Sequence, residues 1–405
     1  MKKVVFALFL TSLMLFSCGS DSEDVSSVNQ QTILIYMPWS GSESYEGLYP
    51  NFLHNLDSIE TAIVRRKGLG KTRALIFISE TASTSKLYEI IYEKDACKRE
   101  LLKTYTGTAY TTAEGIAEIL NDTRNTAQAL NYALMVGCHG VGWTYFSDWN
   151  DYPYEAKSHA LRVKRNRPSD NQFERTRFFG SVEDDRWATN IETLAEGIRK
   201  SGLKMQFILF DDCYMANVEV AYELRDVTNF LIASTSEIMS IGMPYAEMWK
   251  SLNVQAPNYK SAVDAFLSFY TNYRTPCGTI AAIDCRQMDH LAAVMKQINE
   301  HYTFDESLLE KIQVLDGFNE PIFFDMGDYV AKLCTDPYLI EKFNNQLAKT
   351  VVNKANTPKI YSYLYWIPQY YDIRTFSGLT ISDPSQNVVA HQGKERTNWW
   401  KATHN

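Results

Sequence analysis

The chain of 405 residues has no apolar run of the roughly 18 residues that a membrane-spanning helix requires. It also lacks a basic stripe. Lys and Arg number 40 against 48 Asp and Glu, a formal charge of −8, which argues against a nucleic-acid groove. Cysteine is sparse and irregular: the seven residues Cys18, Cys97, Cys138, Cys213, Cys277, Cys285 and Cys334 make an odd count with no C-x-x-C pair. That excludes a dense disulfide scaffold and a zinc knuckle. A zinc site from Cys138, His139 and Cys213 would lack a fourth ligand. No internal repeat or low-complexity block is present. What is there is ordinary globular material, 45% hydrophobic and 22% charged, enough for one large domain or two to three small ones.

The N-terminus reads as an export signal. Lys2 and Lys3 precede an apolar run from Val4 to Phe16, which is followed by Ser17 and Cys18. The ending Leu15-Phe16-Ser17-Cys18 resembles a bacterial lipobox, which implies cleavage before Cys18 and acylation of that cysteine. Residues 1–17 are thus read as a lipoprotein signal peptide and residues 18–31 as a polar tether. The acidic stretch behind Cys18 resembles the surface-export signal of Bacteroidetes lipoproteins. A lipid anchor in the bacterial cell envelope, periplasmic or on the outer-membrane surface, is the expected localisation.

From Thr32 onward, strands alternate with helices. Thr32–Met37, Arg73–Ile78, Met205–Phe210 and Phe230–Ala233 are apolar and β-branched or aromatic, as buried strands are. Leu87–Tyr92 reads as a hairpin or edge strand. Helices are expected over 47–66, 111–120, 190–200, 215–224, 261–273 and 287–302. Thr126–Val136 reads as a helix feeding a strand. Such alternation implies βαβ units and a mostly parallel sheet covered by helices on both faces. The stretch from Tyr145 to Asp185 breaks the rhythm. It carries Lys157, Arg162, Lys164, Arg165, Arg167, Arg175 and Arg177.

Two segments place polar residues where strands end, the usual place for sites in open α/β sheets. In the first, the apolar run Ala133–Val136 leads into His139, bracketed by Gly137, Gly140 and Gly142. In the second, Phe207–Phe210 leads into Asp211, Asp212 and Cys213. A cysteine at a helix start would meet the positive end of the backbone dipoles, which favours thiolate. A histidine on a neighbouring strand end would supply or shuttle a proton.

These two segments resemble the clostripain family of cysteine peptidases, relatives of caspases, gingipains and legumains. The family pattern His-Gly-x-Gly-Trp stands here as His139 to Trp143. The pattern Phe-Asp-x-Cys-x-Met, followed by Glu-x-Ala-Tyr-Glu, stands as Phe210 to Met215 and Glu219 to Glu223. Thr176–Gly180, Asn190–Glu196, Asp325–Asp328, Gly378–Ile381 and Thr397–Trp400 extend the similarity over about 32–401. The resemblance implies a caspase-like α/β fold over 32–405, with a C-terminal extension. It implies a Cys213 nucleophile, a His139 partner and oxyanion donors on the backbone at Gly140 and Cys213. Asp211 takes the position at the floor of an S1 pocket selecting Arg or Lys, as a desolvated carboxylate suits such a cation.

The chain departs from the family pattern in places. Before the histidine the family usually has Asp, and here stands Cys138. Before the nucleophile it usually has a small residue, and here stands Asp212, whose charge would raise the thiol pKa. Ile241 stands near the place of a second acidic residue that helps hold P1 in some members. The expected activity is endopeptidase cleavage after basic residues through an acyl-enzyme. The alternative is an inactive, clostripain-like surface binding module. Relatives are often cut between the two motifs, so self-cleavage is expected in 154–177. Peptide or protein substrates are the expected partners. No cofactor is expected. The resemblance leaves calcium open, and no EF-hand loop occurs. Asp148, Asp151 and Glu183–Asp185 read as solvated acidic loop.

Overall fold

The computed structural model describes residues 28–39, 48–149, 179–180, 187–364 and 368–405. The export signal, Cys18 and the tether as far as residue 27 lie outside the described residues. So do the basic stretch 154–177, Asp151 and Glu183–Asp185.

In chain order the first half comprises β1 (Gln31–Met37), α1 (Tyr49–Arg65), β2 (Thr72–Thr81), β3 (Thr84–Glu93), β4 (Ala96–Thr106), α2 (Ala113–Thr126) and β5 (Asn131–Gly137). A two-residue pair follows, β6 (Phe179–Gly180) with β7 (Ala188–Thr189), then α3 (Ile191–Ser201), β8 (Met205–Asp211), α4 (Val218–Leu224) and β9 (Phe230–Ala233). Next come α5 (Tyr245–Leu252), α6 (Tyr259–Thr271), β10 (Thr279–Asp284) and α7 (Met288–Asn299). The C-terminal part holds β11 (Phe324–Asp325), α8 (Met326–Leu333), α9 (Pro337–Thr350), β12 (Val351–Asn356), β13 (Lys359–Ser362), β14 (Gln369–Asp372), β15 (Thr380–Ile381), α10 (Val388–Gly393) and α11 (Asn398–His404).

Nine strands form one sheet in the order β12-β10-β9-β8-β5-β1-β2-β3-β4. The centre, β9-β8-β5-β1-β2, is parallel, and both flanks are antiparallel. The central strands are buried on both faces, which explains their continuous apolar runs. Side-chain alternation divides the core in two. Ile33, Ile35, Ala133, Met135, Phe207 and Leu209 pack against α1, α5 and α6. Leu34, Tyr36, Leu134, Val136, Ile208 and Phe210 pack against α2, α3, α4, α7 and α11.

No helix begins at Thr126: α2 ends there, and β5 follows from Asn131. Three further features differ from the sequence reading or escape it. β4 is an 11-residue edge strand that the sequence pattern does not reveal, because its side chains are mostly exposed and its less exposed positions include Arg99 and Lys103. Lys98, Arg99, Glu100 and Lys103 on it keep the open edge charged, a common guard against edge pairing. The helix expected from residue 215 starts only at Val218, with the Asn217 side chain accepting the Val220 N–H at 2.9 Å. Asp148 is not solvated loop. It is buried in a short 3-10 turn, Phe146–Trp149, and ion-paired with Arg396.

After β5 the chain turns sharply at Gly142, whose φ is +60°. A Cβ there would lie 2.5 Å from Asn217 Nδ2 and 2.8 Å from the Phe323 ring. Gly142→Ala combines positive-φ strain with a clash, so it should lower stability by about 2–4 kcal/mol in urea unfolding. An unchanged unfolding midpoint would contradict this account of the turn.

Candidate active site

The two motif segments meet because β5 and β8 are parallel neighbours. Their pairing ends at Val136↔Phe210 and Gly137↔Asp211. His139 and Cys213 each lie two residues further on. Gly140 closes the gap between the segments: a Cβ there would lie 2.8 Å from the Cys213 carbonyl oxygen and 2.9 Å from Asp212 Cβ. Only a glycine lets the histidine segment approach that near. Trp143 anchors the turn from the other side, donating its indole N–H to Ser382 Oγ at 2.9 Å.

Cys213 sits in a tight turn, five residues ahead of α4. The following residue, Tyr214, has φ +62°, a left-handed conformation that costs a bulky residue about 1–3 kcal/mol. Several contacts hold it there. Its N–H donates to the Ser236 carbonyl at 3.0 Å, and its carbonyl accepts from Asn217 Nδ2 at 2.6 Å. Its ring stacks on Phe323 at 5.0 Å, and its hydroxyl donates to Glu237 Oε1 at 2.8 Å. The Cys213 sulfur accepts the Ile238 N–H at 3.3 Å and faces the Ile238 carbonyl at 3.6 Å.

The thiolate expected from a helix start is therefore not supported. Burial pushes the Cys213 thiol well above its ordinary value, and the Glu237 carboxylate adds to that rise. The Ile238 N–H opposes it in part. Asp212 acts in the expected direction, less strongly than Glu237. His139 is half-buried, and desolvation lowers its pKa to about 4. Both residues are half-buried, and both shifts favour the neutral thiol and the neutral imidazole at neutral pH. Among the described residues no side chain is hydrogen-bonded to the imidazole.

Asp211 ends β8 on the α1 face. Its Oδ2 accepts from Asn55 Nδ2 at 3.3 Å, and Gly242 lies against it; a Cβ on Gly242 would come within 2.9 Å of Asn55 Nδ2. Burial raises the Asp211 pKa to about 6, opposed by the Met243 N–H and the Tyr245 hydroxyl. Oδ1 has no donor in hydrogen-bond geometry among the described residues. Glu237, half-buried, is held by Tyr214, by Ser362 Oγ at 2.6 Å and by the Tyr363 N–H at 2.9 Å. Asp211, Asp212 and Glu237 have no ion-pair partner among the described residues. No cluster suited to a metal ion occurs among those residues either. Ile241 is half-buried beside Gly242. Sequence reasoning missed Glu237, whose only signal is an acid in the otherwise uncharged loop 234–243.

An α/β sheet with histidine and cysteine at adjoining parallel strand ends defines a caspase-like cysteine peptidase. A family model described as "Clostripain family" matches residues 168–364. A secreted C11 cysteine protease from Bacteroides thetaiotaomicron, "iotapain", is 44% identical over 93% of this chain and 99% of its own, with a TM-score of 0.82. A clostripain from the same species, solved with the peptide inhibitor BTN-VLTK-AOMK, is 52% identical over 56% of this chain and 99% of its own, TM-score 0.54. An inactive zymogen C11 protease from Parabacteroides distasonis is 25% identical over 93% of this chain and 99% of its own, TM-score 0.75. No curated protein matches the chain. The chain belongs to the clostripain family of cysteine peptidases, C11.

Glu237→Gln keeps most of the hydrogen bonds and removes the charge facing the thiol. The Cys213 pKa should fall, and alkylation by iodoacetamide near neutral pH should speed up about 3–10-fold, the effect of roughly half to one pKa unit. A pH profile of alkylation that is unmoved, or shifted upward, would contradict the assignment.

Proposed function

We propose that the protein is an endopeptidase that cleaves after Arg or Lys through a Cys213–His139 dyad. The β5–β8 register, which ends two residues short of both groups, is the observation that carries this reading. His139, neutral at working pH, takes the thiol proton as the sulfur attacks the peptide carbonyl. The oxyanion is received by backbone N–H groups at Gly140 and Cys213. The imidazolium then protonates the leaving amine, and the acyl-enzyme is hydrolysed by water that His139 activates.

Basic P1 selection rests on Asp211. Its carboxyl lacks a cation among the described residues, and beyond the Met243 N–H and the Tyr245 hydroxyl nearby its Oδ1 has no donor in hydrogen-bond geometry among them. A guanidinium or ammonium would supply both. The relative solved with BTN-VLTK-AOMK carries a peptide whose printed sequence ends in lysine. A second reading, an inactive binding module, draws partial support from the relative described as an inactive zymogen. The retention of both His139 and Cys213 weighs against it. Acylation at Cys18 would anchor the enzyme in the envelope. Relatives are described as secreted, and no described helix is long and apolar enough to cross a membrane. The seven basic residues in 154–177 would offer the enzyme its own preferred cleavage sites.

A peptide-library profile tests the specificity. Wild type should prefer Arg or Lys at P1, and Asp211→Asn should weaken that preference about 10–100-fold, the range of a charge-assisted pair. Cys213→Ala and His139→Ala should each lose at least about 1,000-fold in turnover. Acidic or apolar P1 preference, or near-normal turnover in either variant, would overturn the reading.

Cell fractionation followed by a denaturing gel tests anchoring and processing together. Wild type should be membrane-bound as two fragments, Cys213→Ala membrane-bound as one band, and Cys18→Ala released. Unchanged partitioning of Cys18→Ala would remove the lipid anchor from the account. An active wild type that stays intact would remove self-cleavage.

A further inference from the structure

The residues immediately before the histidine and the cysteine are bonded to each other. Asp212 Oδ1 accepts the Cys138 N–H at 2.7 Å, and Oδ2 accepts the Cys138 thiol at 3.2 Å. The Cys138 sulfur also lies 3.1 Å from the His139 carbonyl oxygen. Both residues are buried, Asp212 to 1% exposure and Cys138 to 4%.

This bridge begins where the sheet stops. Gly137↔Asp211 is the last ladder pair of β5 and β8; beyond it Gly140 packs against the Cys213 carbonyl and the chain turns at Gly142. Past that pair no ladder hydrogen bond holds the two strand ends together. A carboxyl group is a costly way to fill a buried position without a cation. An apolar side chain at 212 would remove the carboxylate acceptor that the Cys138 N–H uses. The bridge stands whether or not the acid is ionised, since one oxygen accepts the N–H in either form. As a charge Asp212 works against thiolate formation at Cys213. Any benefit to the reaction is therefore geometric.

We propose that Asp212 is a positioning residue. It prolongs the pairing of β5 and β8 by one step and thereby fixes the separation of His139 and Cys213. Sub-ångström control of that separation governs proton transfer, and a misplacement of about 1 Å can cost roughly 100-fold in rate. The carboxyl could do the same work from the opposite strand, because positions 138 and 212 stand level beyond the last pair.

The inference rests on the proposed dyad, so the test carries Cys213→Ala and His139→Ala as controls. The measurement is kcat and KM on the best peptide, with thermal unfolding to establish that each variant is folded. Asp212→Ala should lose about 100-fold in kcat with KM within about 3-fold. Asp212→Asn, whose amide oxygen still accepts, should stay within about 10-fold of wild type. The exchange variant Cys138→Asp/Asp212→Ala should regain at least about 10-fold over Asp212→Ala. A folded Asp212→Ala within about twofold of wild type in kcat would overturn the proposal, as would a folded exchange variant no better than Asp212→Ala. If Asp212→Ala does not fold, an exchange variant that folds but stays below about 1% of wild-type kcat overturns it instead. If a dyad control keeps its turnover, the dyad reading fails and takes this inference with it. If both controls are dead and a folded Asp212→Ala stays within about twofold of wild type in kcat, the positioning role alone fails.

Discussion

The parallel pairing of β5 with β8 is the constraint on which the site depends. Every functional group follows from where that ladder ends. Alternation sends Asp211 toward α1, Asn55 and Gly242, and leaves Asp212 to reach Cys138 on the neighbouring strand. One residue more brings Cys213 to the lip of the sheet. The glycines after β5 let the histidine segment fold over it, and Gly140 touches the Cys213 backbone with no room for a side chain. A slip of one residue in this pairing would exchange the two faces and separate the groups. The flanking strands and the two helical layers hold the register, since both strands are buried on both sides.

Electrostatics complete the picture. Asp211, Asp212 and Glu237 lie around a half-buried thiol, with no paired cation among the described residues. Burial and these carboxylates disfavour the thiolate, while desolvation alone disfavours the imidazolium, so both shifts favour a neutral pair. The proposed basic P1 side chain would bring a positive charge to this arrangement. A P1 guanidinium or ammonium would satisfy the orphaned Asp211 oxygen and ease the field that opposes deprotonation of Cys213. Binding and activation would then be linked through one charge. Glu237 connects this centre to Ser362 at the end of β13 and to Tyr363 just after it, so the C-terminal segment also bears on the Cys213 turn.

Much of this could be read in the sequence. Continuous apolar runs marked β1, β2, β5 and β8, because strands buried on both faces have no polar alternation to obscure them. Polar residues at the ends of two such runs marked His139 and Cys213. Features set by tertiary contacts escaped. β4 is an edge whose exposed side chains carry no pattern. The start of α4 was placed too early, since Tyr214 takes a positive φ that a tyrosine does not advertise. Asp148 looked solvated because its partner, Arg396, lies 248 residues away. The Asp212 charge drew notice, but its bond to Cys138 is visible only once the strands are side by side. Glu237 draws its importance from three donors on two distant segments, and no local motif encodes that.

The central claim is that parallel strand ends bring together a Cys213 thiol and a His139 imidazole that are both uncharged at rest. Ultraviolet thiolate absorbance, recorded as the difference between wild type and Cys213→Ala across pH, measures this directly. The account predicts no Cys213 thiolate at neutral pH in the free enzyme and a rise only in the alkaline range, above the ordinary cysteine value. A thiolate already formed in mildly acidic solution would mean a resting ion pair and would contradict the account.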